Sequence, residues 1–185
     1  SEMCIRDRVP EVCRALKQHN LSVPVLAAGG IATGEQMAAA MTMGAEGAWC
    51  GSVWLTTVEA ETTPTVKRKM IEATASDTVR AKSRTGKPSR QLRSAWTDAW
   101  ESTGAPEPLP MPLQSLVSEP ALRQVDKLAE GGHGGAEALA TYWVGQAVGL
   151  MNAEQSVADV MLGFKTDFIE AHGRISAFIE GVDLS

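Results

Sequence analysis

The 185-residue sequence predicts an α/β fold: a parallel strand–helix–strand unit near its start, then a mostly helical region. Three observations predict it. Two short apolar runs, residues 23–28 and 45–50, are each followed at once by glycine and are too short for helices. Between them, Thr33-Gly34-Glu35-Gln36 has the form of a capping box that opens a helix. The connecting loops are short, as in parallel strands joined by a helical crossover.

Each element follows in order. Residues 9–19 read as a helix with Pro10 in the first turn and Val12, Ala15 and Leu16 on one face. Asn20-Leu21-Ser22 ends it. Val23-Pro24-Val25-Leu26-Ala27-Ala28 reads as a buried parallel strand, with Pro24 confined to its start. Thr33 then caps a helix with Met37, Ala40 and Met41 at helical spacing and Gly44 just past its end. Residues 45–50 form the second strand, Gly51-Ser52 turns the chain, and 53–57 form a short helix.

Further on, residues 64–73 are helical, with Thr63 as N-cap and Pro64 at the first position. Residues 78–83 are extended, Thr85-Gly86-Lys87-Pro88 is a turn, and a helix runs on through Trp100. Residues 102–112 form a Pro-rich linker. A helix over 113–130 is interrupted near Pro120, and the Gly-rich stretch 131–135 is a flexible loop. A long amphipathic helix spans 152–180, with Val157, Val160, Met161, Phe164, Phe168, Ile175 and Phe178 as its apolar stripe.

Composition narrows the function classes. Seventeen basic and 22 acidic residues give a net charge of −5, which provides no electrostatic footprint for nucleic acid. No apolar run is long enough to span a membrane as a helix. Cys4, Cys13 and Cys50 form neither a disulfide framework nor, with the three histidines, a zinc spacing, so no metal is expected. A cytoplasmic protein is the expectation. The length falls short of the ~250 residues of a complete (β/α)8 barrel.

Chemistry concentrates where the strands end. Ala28-Gly29-Gly30 lets the backbone turn sharply and a ligand approach it closely. Amides at the N-terminus of the Thr33-capped helix suit a phosphate. Cys50-Gly51-Ser52 repeats the arrangement after the next strand and adds a hydroxyl. Two glycine loops one β/α unit apart match the phosphate site that barrels build after their last two strands. Ordinary βα turns are the alternative.

Four segments resemble the nitronate monooxygenase family. Residues 23–32 are similar to its seventh strand and loop, and Gly44-Ala45-Glu46-Gly47-Ala48-Trp49-Cys50-Gly51-Ser52 to its eighth strand. Thr85-Gly86-Lys87-Pro88-Ser89-Arg90 resembles its Gly-[Arg/Lys]-Pro-Ala-Arg segment, and Gly145-Gln146-Ala147-Val148-Gly149-Leu150 its Gly-Gln-x-x-Gly-Leu segment. The family usually has Thr where Ser52 stands, a bulky residue at Cys50, and often Arg-Phe-Leu where this chain has Val53-Trp54-Leu55.

The resemblance implies the C-terminal part of a TIM (β/α)8 barrel (residues 9–62) and a helical C-terminal region (63–185) packing on it. It implies FMN, with the phosphate on Ala28, Gly29, Gly30, Cys50, Gly51 and Ser52, and a small nitronate substrate oxidised with molecular oxygen. The family's proton-abstracting histidine has no counterpart here, so no catalytic residue is assigned and the expected base lies upstream. Met3-Cys4-Ile5-Arg6-Asp7-Arg8 resembles one translated frame of a sequencing-library adapter, which implies that residues 1–8 are not native. Related barrels leave alternatives: a flavin-dependent enoyl-ACP reductase, a phosphate-gripping lyase or synthase without flavin, or a non-catalytic fragment.

Other residues read as structural. His19 and His172 lie on helices without partners at ligand spacing, and His133 belongs to a flexible loop. Cys50 reads as a small buried hydrophobe. Gln146 fits packing between helices at least as well as a flavin contact. The basic run Lys82, Arg84, Lys87, Arg90 and Arg93 reads as a solvated face paired with acids. Trp96 and Trp100, one helical turn apart, read as packing residues.

Overall fold

A computed structural model describes residues 5–181. In chain order the elements are α1 (Ile5–Gln18), β1 (Leu26–Ala28), α2 (Gly34–Thr42), β2 (Gly47–Trp49), α3 (Pro64–Glu72), β3 (Thr78–Ala81), β4 (Ser89–Leu92), α4 (Ala95–Glu101), α5 (Leu113–Glu130), α6 (Gly134–Leu139) and α7 (Val157–Glu180). Short 3₁₀ turns cover Ser52–Thr56, Ala75–Asp77 and Gln146–Leu150. The chain divides into two compact units, one joining Ser1–Gly51 to Gln155–Ser185 and the other Ser52–Glu154. The division falls after Gly51, and the terminal helix belongs to the first unit.

In the first unit β1 and β2 pair in parallel, with Leu26 opposite Gly47, Ala27 opposite Ala48 and Ala28 opposite Trp49. The strands are shorter than the apolar runs that announce them. Pro24 has no N–H to give a ladder, so regular pairing starts after it. Ala27 is buried, whereas its neighbours Leu26 and Ala28 point to the exposed face. α1 packs on β1 and α2, and α2 lies along α7. α1 begins at Ile5, a turn earlier than the sequence suggested, so Pro10 lies inside the helix and residues 5–8 belong to it. Residues 1–4, the remainder of the segment read as foreign, lie outside the described residues.

The approach of α2 to α7 has a specific cause. An ideal Cβ on Gly34 would overlap the Phe164 carbonyl oxygen and stand 2.7 Å from the Phe168 nitrogen. Only a residue without a side chain lets the two backbones come this close. Val160, Phe164 and Ala171 are buried along α7, but Val157, Met161, Ile175 and Phe178 remain exposed. The apolar stripe is thus only partly used, because a nine-residue α2 cannot cover a 24-residue α7.

The second unit has its own core: Val66, Met70, Ala73, Leu92, Ala140, Val144, Val148 and Met151, flanked by Leu55, Val125 and Tyr142. β3 and β4 form an antiparallel hairpin, Thr78 opposite Leu92 and Ala81 opposite Ser89. The helix expected to run on from residue 88 is therefore preceded by a strand. Residues 142–144 extend this sheet: the Leu92 amide donates to the Tyr142 carbonyl at 3.0 Å and the Val144 amide to the Arg90 carbonyl at 3.3 Å.

Arg84 is buried, where a solvated basic face was expected. Its guanidinium donates to Glu119 at 2.8 and 3.3 Å and lies 3.9 Å from the centre of the Trp143 ring. Burial demands such partners, because an unpaired charge there would be costly. α5 runs unbroken through Pro120, contrary to the interruption expected. Pro120 is exposed, so the Leu116 carbonyl that loses its helical donor can turn to water. α6 occupies part of the stretch read as a flexible loop, with the His133 Nδ1 accepting from the Ala136 amide at 3.3 Å. Trp96 and Trp100 do pack together, ring centres 6.1 Å apart.

Gly34→Ala tests the helix contact. The added methyl meets backbone, which cannot rotate away, so α2 and α7 must separate at a cost of about 3 kcal/mol. Chemical denaturation of the variant should show this loss, and stability equal to the parent would refute the close approach.

Candidate functional site

The register decides which loops are neighbours. Ala28 stands opposite Trp49, so Gly29-Gly30 and Cys50-Gly51 leave the carboxyl ends of adjacent parallel strands. Gly29 has φ +118° and Gly30 φ +71°, both in the left-handed region that favours glycine. An ideal Cβ on Gly30 or on Gly51 would meet nothing within 4 Å. The main chain there faces open space that a side chain would partly fill. Ala28, Gly29, Gly30 and Gly51 are exposed and Cys50 is half-buried. Among the described residues, the Gly30 and Gly51 amides have no protein acceptor. Open backbone donors on glycine at paired strand ends make a cradle suited to an anion.

The N-terminus of α2 does not share in it. The Thr33–Gln36 capping box forms as expected: the Gln36 amide donates to the Thr33 hydroxyl at 3.3 Å, and the Gln36 side chain accepts from the Thr33 amide at 3.2 Å and the Ala32 amide at 2.7 Å. The Gly34 amide donates to the Asp167 carboxylate at 3.2 Å. These partners occupy the Thr33, Gly34 and Gln36 amides, and the carboxylate answers the helix dipole. Of the amides expected to face a phosphate at the start of α2, those of Gly34 and Gln36 are thereby taken up within the protein. Asp167 lies 133 residues away in sequence and gave no local signal.

Ser52 opens the first 3₁₀ turn of the second unit, and its Oγ accepts a hydrogen bond from the Gly145 amide at 2.9 Å. This ties together two of the segments singled out in the sequence. Accepting leaves the hydroxyl proton free to donate elsewhere. Gln146 is exposed at the start of its 3₁₀ turn. Burial pushes the Cys50 thiol above its ordinary range, which disfavours the nucleophilic thiolate. His133 spends its Nδ1 on the α6 cap, while His19 and His172 lie exposed. Among the described residues no cluster of three or more His, Cys, Asp or Glu could hold a metal ion. Among them, too, no helix is long and apolar enough to cross a membrane.

A parallel βαβ unit with open glycine loops at its strand ends defines an α/β protein. The profile of the nitronate monooxygenase family matches residues 2–164. The chain is 54% identical over 175 residues to Rv1533 of Mycobacterium tuberculosis, a protein with a provisional monooxygenase name, covering 93% of this chain and 45% of that one. It is 33% identical over 141 residues to a probable nitronate monooxygenase of Bacillus subtilis, covering 76% of this chain and 39% of the relative. Of solved structures, FabK from Thermotoga maritima matches with a TM-score of 0.70 at 28% identity, over 96% of this chain and 53% of that one. A nitroalkane oxidase from Streptomyces ansochromogenes shares the fold, with a TM-score of 0.73 at 24% identity over 92% of this chain and 45% of that one. The chain belongs to the nitronate monooxygenase family. It spans about half the length of these relatives or less.

The Ser52 hydroxyl can be tested by itself. Ser52→Ala removes the acceptor of the Gly145 amide and should cost about 1 kcal/mol. Hydrogen exchange at Gly145 should quicken in Ser52→Ala and stay slow in Ser52→Thr. Unchanged exchange in the alanine variant would show that the bond is not formed in solution.

Proposed function

We propose that this chain forms the phosphate-holding end of an FMN site in a (β/α)8-barrel oxidoreductase that oxidises alkyl nitronates with molecular oxygen. The observation that supports this most is the cradle at Gly30 and Gly51, held side by side by the parallel register of β1 and β2. On this reading β1 and β2 are the last two barrel strands, and residues 63–185 form the helical region that accompanies them. Family membership supports a flavin as the group held.

The residues fit a phosphate monoester. On this reading the main chain at Ala28, Gly29, Gly30, Cys50 and Gly51 lines the phosphate, with the open Gly30 and Gly51 amides as donors, and Ser52 follows in the chain as the hydroxyl that the family resemblance implies. Hydrogen bonds from such donors to a dianion are charge-assisted. Bound there, FMN supplies the electron transfer, and the protein supplies binding and orientation. No residue of this chain is assigned as the proton-abstracting base. On this reading that histidine belongs to the rest of the family barrel, and the chain contributes a cofactor handle to a cytoplasmic enzyme.

A second reading is an enoyl reductase-like flavin barrel, favoured by the likeness to FabK at 28% identity. It would use the same handle. The family profile over residues 2–164 favours the nitronate reading.

Thermal melting of the 185-residue chain with and without FMN tests the proposal. A ligand that binds the folded form raises the melting temperature by mass action. FMN should raise it by several degrees in the parent. Gly30→Val places a branched side chain in the cradle; at φ +71° valine is strained, so the variant should melt below the parent without ligand and gain nothing further from FMN. A parent whose melting ignores FMN, or a valine variant that gains as much as the parent, would contradict the proposal.

A further inference from the structure

We infer that Trp49 is the platform on which the ring system of the bound mononucleotide stacks; this rests on the phosphate-handle reading above. The argument begins with the two faces of the β1–β2 pair. Alternation along each strand and the register place Leu26, Ala28, Gly47 and Trp49 on one face, and Ala27 and Ala48 on the other. The second face is packed: Ala27 is 1% exposed. The first is open: Leu26 is 49% exposed and Trp49 is 69% exposed.

On the barrel reading this face is turned to the barrel interior, and the indole offers a large flat apolar surface there. Its place in the chain gives that surface a purpose. Trp49 is the last residue of β2, directly before Cys50-Gly51, and its cross-strand partner Ala28 directly precedes Gly29-Gly30. The indole therefore stands at the strand ends from which both glycine loops leave. A ligand whose phosphate sits on those loops and whose other end is a planar heteroaromatic ring finds an aromatic surface on the same side of the sheet. Ala28, opposite, is small and leaves room for a ring. Leu26 continues the apolar floor behind it, its Cδ2 within 3.2 Å of where a Cβ on Gly47 would stand. A simple phosphorylated sugar would use the loops and have no need of the indole.

The test separates ring from phosphate. FMN affinity of the 185-residue chain is measured by flavin fluorescence, and inorganic phosphate is titrated as a competitor to obtain its own affinity. Trp49→Ala should weaken FMN roughly tenfold, as loss of one ring stack does, and leave phosphate affinity and melting temperature unchanged. Trp49→Phe should recover most of the FMN affinity. If Trp49→Ala binds FMN as tightly as the parent, the platform is refuted while the phosphate handle stands. If the variant loses phosphate and FMN alike, Trp49 shapes the loops and the platform is again refuted. A parent that binds neither ligand overturns the handle and the platform together. Sedimentation supplies the remaining outcome: a dimer that Trp49→Ala dissolves would show that a second copy covers the indole, against the inference.

Discussion

The parallel pairing of Leu26–Ala28 with Gly47–Trp49 is the constraint on which the candidate site depends. A shift of β2 by one residue would send Trp49 to the packed face and Ala48 to the open one. It would also part the two glycine loops, because each leaves its strand at a position set by the ladder. Short connections and the buried Ala27 hold that register. The handle is thus a property of strand pairing, and the glycines make use of a position the ladder has already fixed.

The helix next to the handle has a different task. α2 could have offered its N-terminus to an anion, yet Thr33, Gln36 and Asp167 take up the Thr33, Gly34 and Gln36 amides internally. Asp167 comes from α7, so the same contact that closes the helix end fastens α7 to α2 at Gly34. On the proposed reading, anion binding falls to amides on the loops, where glycine keeps the main chain open. The division is physically economical: a helix end saturated by a carboxylate would repel a phosphate, whereas the exposed Gly30 and Gly51 would not.

What could be read from the sequence was local. The Thr33–Gln36 capping box, the Pro64 start of α3 and the two glycine-terminated strands depend on residues a few positions apart, and each forms. What escaped depends on distant partners. β4 has the sequence Ser-Arg-Gln-Leu, without apolar alternation, and is held by pairing with β3 and residues 142–144. Gln91 within it is buried because its side chain donates to the Ala81 carbonyl at 3.3 Å. Arg84 left the expected solvated face for the same kind of reason, since Glu119 and Trp143 lie far along the chain. α6 hid behind a glycine run and an unusual histidine cap. At the site, the sequence located the loop residues correctly on strand ends, but the saturation of α2 by Asp167 needed the fold.

The central claim is that backbone donors on the glycine loops hold a phosphate. The most direct measurement is the ratio of affinities for FMN and riboflavin, two ligands with the same ring that differ by the phosphate. Two charge-assisted hydrogen bonds at about 1.5 kcal/mol each predict that the chain binds FMN roughly 100-fold more tightly. Equal affinities for the two would contradict the account.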